Sequence, residues 1–382
     1  MSTAFPLPHP SLIISEVQTR SDRDSFITCP WAFYKDDPYW IPPLIEERRT
    51  FLDPRRNPFF DHAKVALFLA RRGKKVVGRI SASVDSAHNS FHEEKTAFFG
   101  FFETIKDYDV ARELLERATD WARSQGMDQL RGPCSFTTNH ECGLLVEGFQ
   151  AFPSLKMPYN PPDYAGFLEK FGFKKTKDLY AYRLTDQGIS PRLGAVVERI
   201  RQRSGAEVRP IRMKAFDEEV QIIRNIYNQA WSRNWGFVPL SEAEFKFVAS
   251  SMRPLVNPDL LLIVSIAGEP VGFSLILPDI NPALKRANGR LFPLGFLKLW
   301  WYGRRISQVR VITLGIIPKY QKLGLDALLY WESCCRGGEK GFREGEMSWV
   351  LEDNLMMNRA AELLGGQRTK TYRIYDLPLR NR

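Results

Sequence analysis

Residues 64 to 85, KVALFLARRGKKVVGRISASVD, carry two β-branched, apolar stretches on either side of Arg72-Gly73-Lys74, the pattern of a hairpin. TAFFGFFET predicts a third strand. The period then changes. In DVARELLERATDWARSQGM, Val110, Leu114, Leu115, Ala118, Trp121 and Ala122 recur at helical spacing, with Gly126 as a stop. DQLRGPCS predicts a single strand, residues 136 to 162 read as irregular, AGFLEKFGF as a short helix and DLYAYRL as a strand.

The same order returns further on. SPRLGAVVERIRQRSGAEVRPI predicts a helix and a strand, and DEEVQIIRNIYNQAWS predicts a helix. LLIVSIAGEPVGFSLILPDI predicts a hairpin around Gly268-Glu269, and VRVITLGIIP a strand. DALLYWESCCRGGEKG, GEMSWVLED, NLMMNRAAELLGG and TKTYRIYDL then predict helix, strand, helix and strand. Aligning VVGRISASVD with PVGFSLILPD, and KDLYAYRL with TKTYRIYDL, gives an internal repeat of about 190 residues. The expected architecture is therefore two related α/β domains in tandem, residues 1–188 and 189–382. An aromatic, proline-broken stretch of about 60 residues at the start is expected to wrap over a core.

Composition agrees with two domains, because 382 residues exceed what one core usually serves. No apolar run reaches the length of a spanning helix, and MSTAFPLPHPSLIISEV lacks the basic start and apolar stretch of a signal, so a cytoplasmic protein is expected. The cysteines, Cys29, Cys134, Cys142, Cys334 and Cys335, are odd in number and show no CxxC spacing. Neither a disulfide framework nor a zinc knuckle is indicated. The formal charge of +10 favours polyanionic partners such as nucleic acid, anionic lipid or a phosphorylated cofactor. Nucleic acid is the weakest of these, since the basic residues are spread along the chain and no recognition motif is visible.

The sharpest local signal is LGIIPKYQKLGLDALLY, residues 314 to 330. An apolar strand breaks at Pro318, and Gln321-Lys322-Leu323-Gly324-Leu325-Asp326 opens a helix. A strand running through a glycine turn into a helix N-terminus presents backbone amides and a positive dipole end, which suit a pyrophosphate. Lys319 and Lys322 add charge. An ordinary strand-to-helix turn has the same parts.

This segment resembles the acyl-CoA-binding motif of the GCN5-related N-acyltransferase superfamily, Q/R-x-x-G-x-G/A. Gln321 and Gly324 match its first and fourth positions, whereas Asp326 stands where the family has Gly or Ala. The resemblance implies tandem GCN5-related N-acyltransferase-like domains, each a mixed, mostly antiparallel central sheet flanked by helices. It implies acyl-CoA as co-substrate and no metal, with Ile316 and Ile317 contacting the acyl carbonyl and pantetheine. Asn354, after WVLEDN, would contact the CoA arm. The helix that usually carries a general-acid tyrosine has none, so that role is vacant or passes to Tyr372 or Tyr375. The first half lacks a Q-x-x-G junction in GFFETIKDYDVARELL and resembles the same fold with its cofactor motif eroded.

DPYWIPPL, NPFFDHAKVALFLA, FFGFFE, TNHECGLLVEGF and MPYNPPDY resemble a bacterial group of tandem N-acyltransferase-like proteins to which the ceramide synthases are similar. That resemblance implies a lipid-like amine acceptor such as a long-chain base. LFPLGFLKLWWYGRR, residues 291–305, fits peripheral contact with an anionic membrane at the inner face, or a buried loop with a basic end.

TTNHECG, residues 137 to 143, sets Asn139, His140, Glu141 and Cys142 side by side. Four consecutive residues do not converge on one ion, so a metal is not expected. A Cys142 nucleophile activated by His140 is chemically reasonable. Direct transfer to an amine instead needs a base, and Glu141 or His140 would serve. The cluster occupies the position that Glu352 and Asn354 hold in the second half, within an insertion of about 25 residues. A polar turn with Glu141 as a cap remains an equal reading. Two other classes keep the fold: a non-enzymatic regulator, and aminoacyl-tRNA-dependent peptidyl transfer.

Overall fold

The computed structural model describes residues 11–185 and 191–379. The expected domain boundary at 188/189 and the first ten residues lie outside them. The first half contributes β1 (Leu12–Glu16), β2 (Ala63–Arg72), β3 (Lys75–Asp85), β4 (Thr96–Thr104), β5 (Gln129–Gly132), β6 (Cys134–Ser135), β7 (Glu141–Cys142), β8 (Leu144–Glu147) and β9 (Lys174–Thr185). The second contributes β10 (Ala206–Pro210), β11 (Leu261–Ile266), β12 (Glu269–Pro278), β13 (Gln308–Ile316), β14 (Glu344–Leu351) and β15 (Gln367–Pro378).

Among the described residues one 13-stranded sheet runs β1-β2-β3-β4-β5-β15-β9-β14-β13-β12-β11-β10, with β8 also against β15. Most neighbours are antiparallel. The pairs β4–β5 and β13–β14 are parallel, and they occupy equivalent places in the two halves. The final strands are exchanged: β15 pairs β5 of the first half through Tyr375↔Gly132, while β9 pairs β14 of the second through Met347↔Tyr182. They also pair with each other, Tyr372 facing Leu179. The sheet is thereby continuous across both halves.

Local physics accounts for most elements. The helix Tyr108–Ser124 is capped by Asp107 and buries Val110, Leu114, Leu115 and Ala118 against the first half of the sheet. The second hairpin turns at Ala267-Gly268, both at positive φ, one residue earlier than the pattern indicated, because Ile266↔Glu269 already pair. DQLRGPCS is two strands rather than one, since Pro133 has no N–H to continue the ladder. Residues 136 to 162, expected to be irregular, contain β7 and β8. Their partners are the nearby β6 and the distant β15, and only the former is local in sequence. The aromatic N-terminal stretch does wrap a core, placing Phe26, Leu52 and Phe59 against Phe101 and Phe136.

Candidate functional site

The parallel pairing of β13 with β14 covers only Gln308↔Glu344 to Val311↔Met347. Beyond it the strands part, and β13 carries a bulge where its register with β12 steps from Val311 to Thr313. The motif stands at the parted end. Ile316 is buried against Leu325 and Leu328, and Ile317 donates its N–H to Val271. Pro318–Leu323 forms a tight helical turn leading to Gly324 at φ +78°, which opens the 15-residue helix Leu325–Glu339. A side chain at Gly324 would be strained, and its Cβ would approach Ile200 Cδ1 to 2.8 Å. No side chain caps this helix, whose first turn holds Asp326, so the backbone amides there suit a phosphate-bearing ligand. Lys319 and Lys322 are exposed beside it. Gln321 is not free: its side-chain N–H donates to the Ile316 carbonyl at 3.1 Å.

The equivalent parting in the first half is plugged. The β4–β5 ladder ends at Phe98↔Arg131, and β6 then crosses so close that a Cβ at Gly100 would lie 2.0 Å from the Cys134 carbonyl oxygen. Only glycine permits that approach. This half has neither the motif nor the space.

The TTNHECG residues supply the turn and second strand of the ribbon β6–β7, with Cys134 opposite Cys142 and Ser135 opposite Glu141. His140 Nδ1 lies 3.2 Å from Thr137 Oγ1, and its ring meets the edges of Phe51 and Phe59, centroids 5.2 Å apart in each case. Burial pushes its pKa down to about 4, leaving a neutral imidazole at neutral pH. Glu141 forms an ion pair with Arg48 of the helix Ile45–Phe51. Burial alone would raise the Glu141 carboxyl, but Arg48 and Lys156 outweigh it and hold the pKa below its ordinary value. Asn139 and Thr138 donate to the carbonyls of Val238 and Gly236 in the second half, the former at 3.0 Å. Cys142 is buried in a cluster with Cys134, Leu351 and Tyr372, partly covered by Trp235 and Trp349.

The remaining expected site residues lie in other surroundings. Glu352 pairs with Lys175 at 2.7 Å and accepts from the Asp178 N–H, outside the TTNHECG ribbon. Asn354 caps the helix Leu355–Leu363, accepting from the Met357 N–H at 3.2 Å. Tyr375 is buried in the first-half core, donates to Glu169 at 3.0 Å, and has its pKa pushed up to about 12 by burial. Tyr372 is buried where the halves meet, within the electrostatic reach of Glu346 and Arg310.

Several groups carried no sequence signal. Arg48 is one, hidden in the aromatic stretch and 93 residues from Glu141. His62 is another: Nδ1 is 2.9 Å from Asp85 and Nε2 forms a 3.0 Å ion pair with Glu244 of the second half. A buried chain also links β15, β14 and β13. Lys370 pairs with Glu346 at 2.6 Å, Ser348 donates to Glu346 at 2.8 Å, and Arg310 donates to Ser348 Oγ at 3.0 Å and to the Leu155 carbonyl. Among the described residues no three His, Cys, Asp or Glu side chains come together to hold a metal, and no helix is long and apolar enough to cross a membrane.

Two equivalent parallel strand pairs, one parted beside a glycine-opened helix, make this a tandem GCN5-related N-acyltransferase fold. Solved structures agree. A tandem protein of this fold from the clavulanic acid biosynthesis pathway superposes with a TM-score of 0.58 at 14% identity, covering 97% of this chain and 100% of that one. A GCN5-related N-acetyltransferase from Sphaerobacter thermophilus gives 0.54 at 12% identity, over 97% and 96%.

No protein-family model matches the sequence. Two curated relatives match along nearly all of it. Protein YghO of Escherichia coli strain K12 is 37% identical over 365 residues, 94% of this chain and 93% of the relative. The bacterial ceramide synthase of Caulobacter vibrioides strain NA1000 / CB15N is 36% identical over 383 residues, 98% and 100%. The chain belongs to the family of these two proteins and is an N-acyltransferase.

Proposed function

We propose that the protein transfers a long-chain acyl group from acyl-CoA to the amine of a lipid-like acceptor such as a sphingoid base, forming an amide of the ceramide type. One observation carries the donor side: β13 and β14 part next to Gly324 at positive φ and an uncapped helix N-terminus. The Leu325–Glu339 helix would hold the pyrophosphate on the amides of Leu325 and Asp326, with Lys322 adding charge and Leu323 closing the turn. Gln321 would act through its bond to the Ile316 carbonyl, fixing the strand end where the thioester must lie. Asn354 would orient the following helix by its cap. The full-length likeness to the Caulobacter ceramide synthase supports the acceptor class.

In this reading residues 189–382 bind the donor and residues 1–188 complete the acceptor side. The amine must lose a proton as it attacks the thioester carbon, and the thiolate of CoA leaves with the bonding pair. His140 is the stronger candidate for the base. Its imidazole is neutral above about pH 4, whereas Glu141 is already committed to Arg48. Cys142 is enclosed, so direct transfer is favoured over a covalent relay. The enzyme would work in the cytoplasm with a peripheral contact of residues 291–305 at the inner membrane face.

The test is thiol release by purified protein offered acyl-CoAs of graded length and a panel of amines that includes sphinganine. Release that grows with acyl length and requires the long-chain amine is expected. No release with any pair would overturn the reading.

A further inference from the structure

The feature left over lies between β12 and β13. From residue 280 to residue 307 the chain has no Asp or Glu, yet it holds Lys285, Arg286, Arg290, Lys298, Arg304 and Arg305, a formal +6 of the chain's +10. The same stretch leaves Phe292 79% exposed, Leu294 59%, Trp300 54% and Trp301 54%, with Phe296 and Leu297 also exposed. Scattered apolar residues on a surface are ordinary, but a contiguous patch of this kind marks an interaction site.

Folding has no use for these side chains. The helix Gly295–Gly303 is seated by Leu299, which packs with Leu155, Leu277 and Leu284, so its inner face is already filled. Arg304 lies over the Trp300 ring at 3.7 Å and Arg305 over Trp301 at 5.4 Å. Each indole therefore carries a cation over its face, a pairing suited to a boundary where one side is apolar and the other is charged.

The charge identifies the occupant. A second copy meeting this patch about a two-fold axis would set Arg290, Lys298, Arg304 and Arg305 against the same four cations, with no carboxylate in the segment to relieve them. An anionic lipid surface supplies the complementary charge and, beneath it, the apolar layer that Phe292, Trp300 and Trp301 need. At nine residues the helix is too short to cross that layer, so it would lie along the surface.

We propose that residues 290–305 seat the enzyme on the anionic face of a membrane, with Phe292, Trp300 and Trp301 at the headgroup boundary and Arg290, Lys298, Arg304 and Arg305 against phosphates. The purpose of the contact, delivery of a bilayer-resident amine, rests on the function proposed above; the contact itself does not.

Flotation of the full-length protein with phosphatidylcholine vesicles, with and without phosphatidylglycerol, tests it. The protein should float with the anionic vesicles and be released by salt. W300A/W301A should lower partitioning about tenfold or more at any salt. Arg304→Glu with Arg305→Glu should lower it roughly fivefold per charge at low salt and little at high salt. Thermal melting of both variants should match wild type, because the altered side chains are exposed. A wild-type protein that stays in the aqueous layer, a Trp variant that floats like wild type, or a Trp-sensitive dimer in ultracentrifugation without flotation would each overturn the proposal. Thiol release with the long-chain amine presented in neutral detergent micelles, where no anionic bilayer is needed, separates the two readings. Retained release without flotation removes the membrane contact alone, and flotation without release removes the acyl-transfer reading alone.

Discussion

Replacing Arg48 by Met tests how the TTNHECG cluster is held. Arg48 is 13% exposed in its side chain and Glu141 25%, so the pair is largely out of water. Methionine keeps the stem that packs near Phe51 and Phe101, whose ring centroids lie 6.0 and 5.9 Å from the guanidinium. What is lost is the charge facing Glu141. Leaving one member of a buried pair alone costs about 3–5 kcal/mol, and with partial exposure and Lys156 nearby we expect about 2–3 kcal/mol. Glu141→Gln should cost about 2 kcal/mol, less because Arg48 retains Glu47 at 3.3 Å. The double variant R48M/E141Q carries neither charge and should lose less than the sum, for a coupling of about 1.5 kcal/mol or more in urea unfolding. Because the native state holds the Glu141 carboxyl below its ordinary range, the pair stabilises fully above the unfolded value and is lost as pH falls through the folded one. In R48M the largest lowering influence is gone and Lys156 is left to oppose burial, so that pKa rises and wild type and variant should converge in stability towards acid. Coupling under about 0.5 kcal/mol, or a gap that widens towards acid, would refute the argument.

Gly324→Glu should weaken acyl-CoA binding at least tenfold by calorimetry, since a carboxylate and a strained φ then stand at the helix N-terminus; unchanged affinity would remove the cradle from that turn. His140→Ala should lower kcat about 10²-fold or more with donor affinity kept, and the acid limb of wild-type kcat/KM should fall near pH 4 rather than 6.5. His62 is raised to about 10 by its bond to Asp85 and its pairing with Glu244. Its contribution is therefore complete below pH 6.5 and decays between pH 6.5 and 10, at most about 5 kcal/mol by linkage and about 2 kcal/mol after screening. Urea midpoints measured against pH should show that decay in wild type and not in His62→Gln. Finally, residues 1–188 and 189–382 expressed separately should each aggregate and, expressed together, should co-elute; a monomeric, cooperatively melting first half would show that the strand exchange is dispensable.

What was legible in the sequence was local. The helix through Val110, Leu114 and Ala118 is specified by spacing that any solvent-facing helix on a sheet must show. The turn at Gly324 is specified by a φ that few other residues accept. The exchange of β9 and β15 was not legible, because apolar runs such as DLYAYRL and TKTYRIYDL fit several neighbours equally well, and their choice depends on strands almost two hundred residues away. The same limit hid Arg48 and Glu244, whose partners Glu141 and His62 are remote in the chain. It also hid the commitment of Gln321 to Ile316: the motif names the residue, but only the packed strand end shows what its amide does.

The exchange also explains why a half with no cradle is kept. Were the first half an independent, decayed copy, its plugged β4–β5 cleft would be dead weight and its loops would drift. Instead β9 is the strand on which β14 pairs, so the parted edge between β13 and β14 is braced by the first half. β8 reaches β15, and its preceding ribbon sets Thr138 and Asn139 against residues 236–238, close to the end of the helix Phe216–Ala230. Filling the first cleft with β6 is what brings that ribbon to this place, because the crossing over Gly100 aims β7 out of the sheet and towards the second half. On the function proposed above, the plugging of the first cleft and the building of an acceptor wall would be one structural feature.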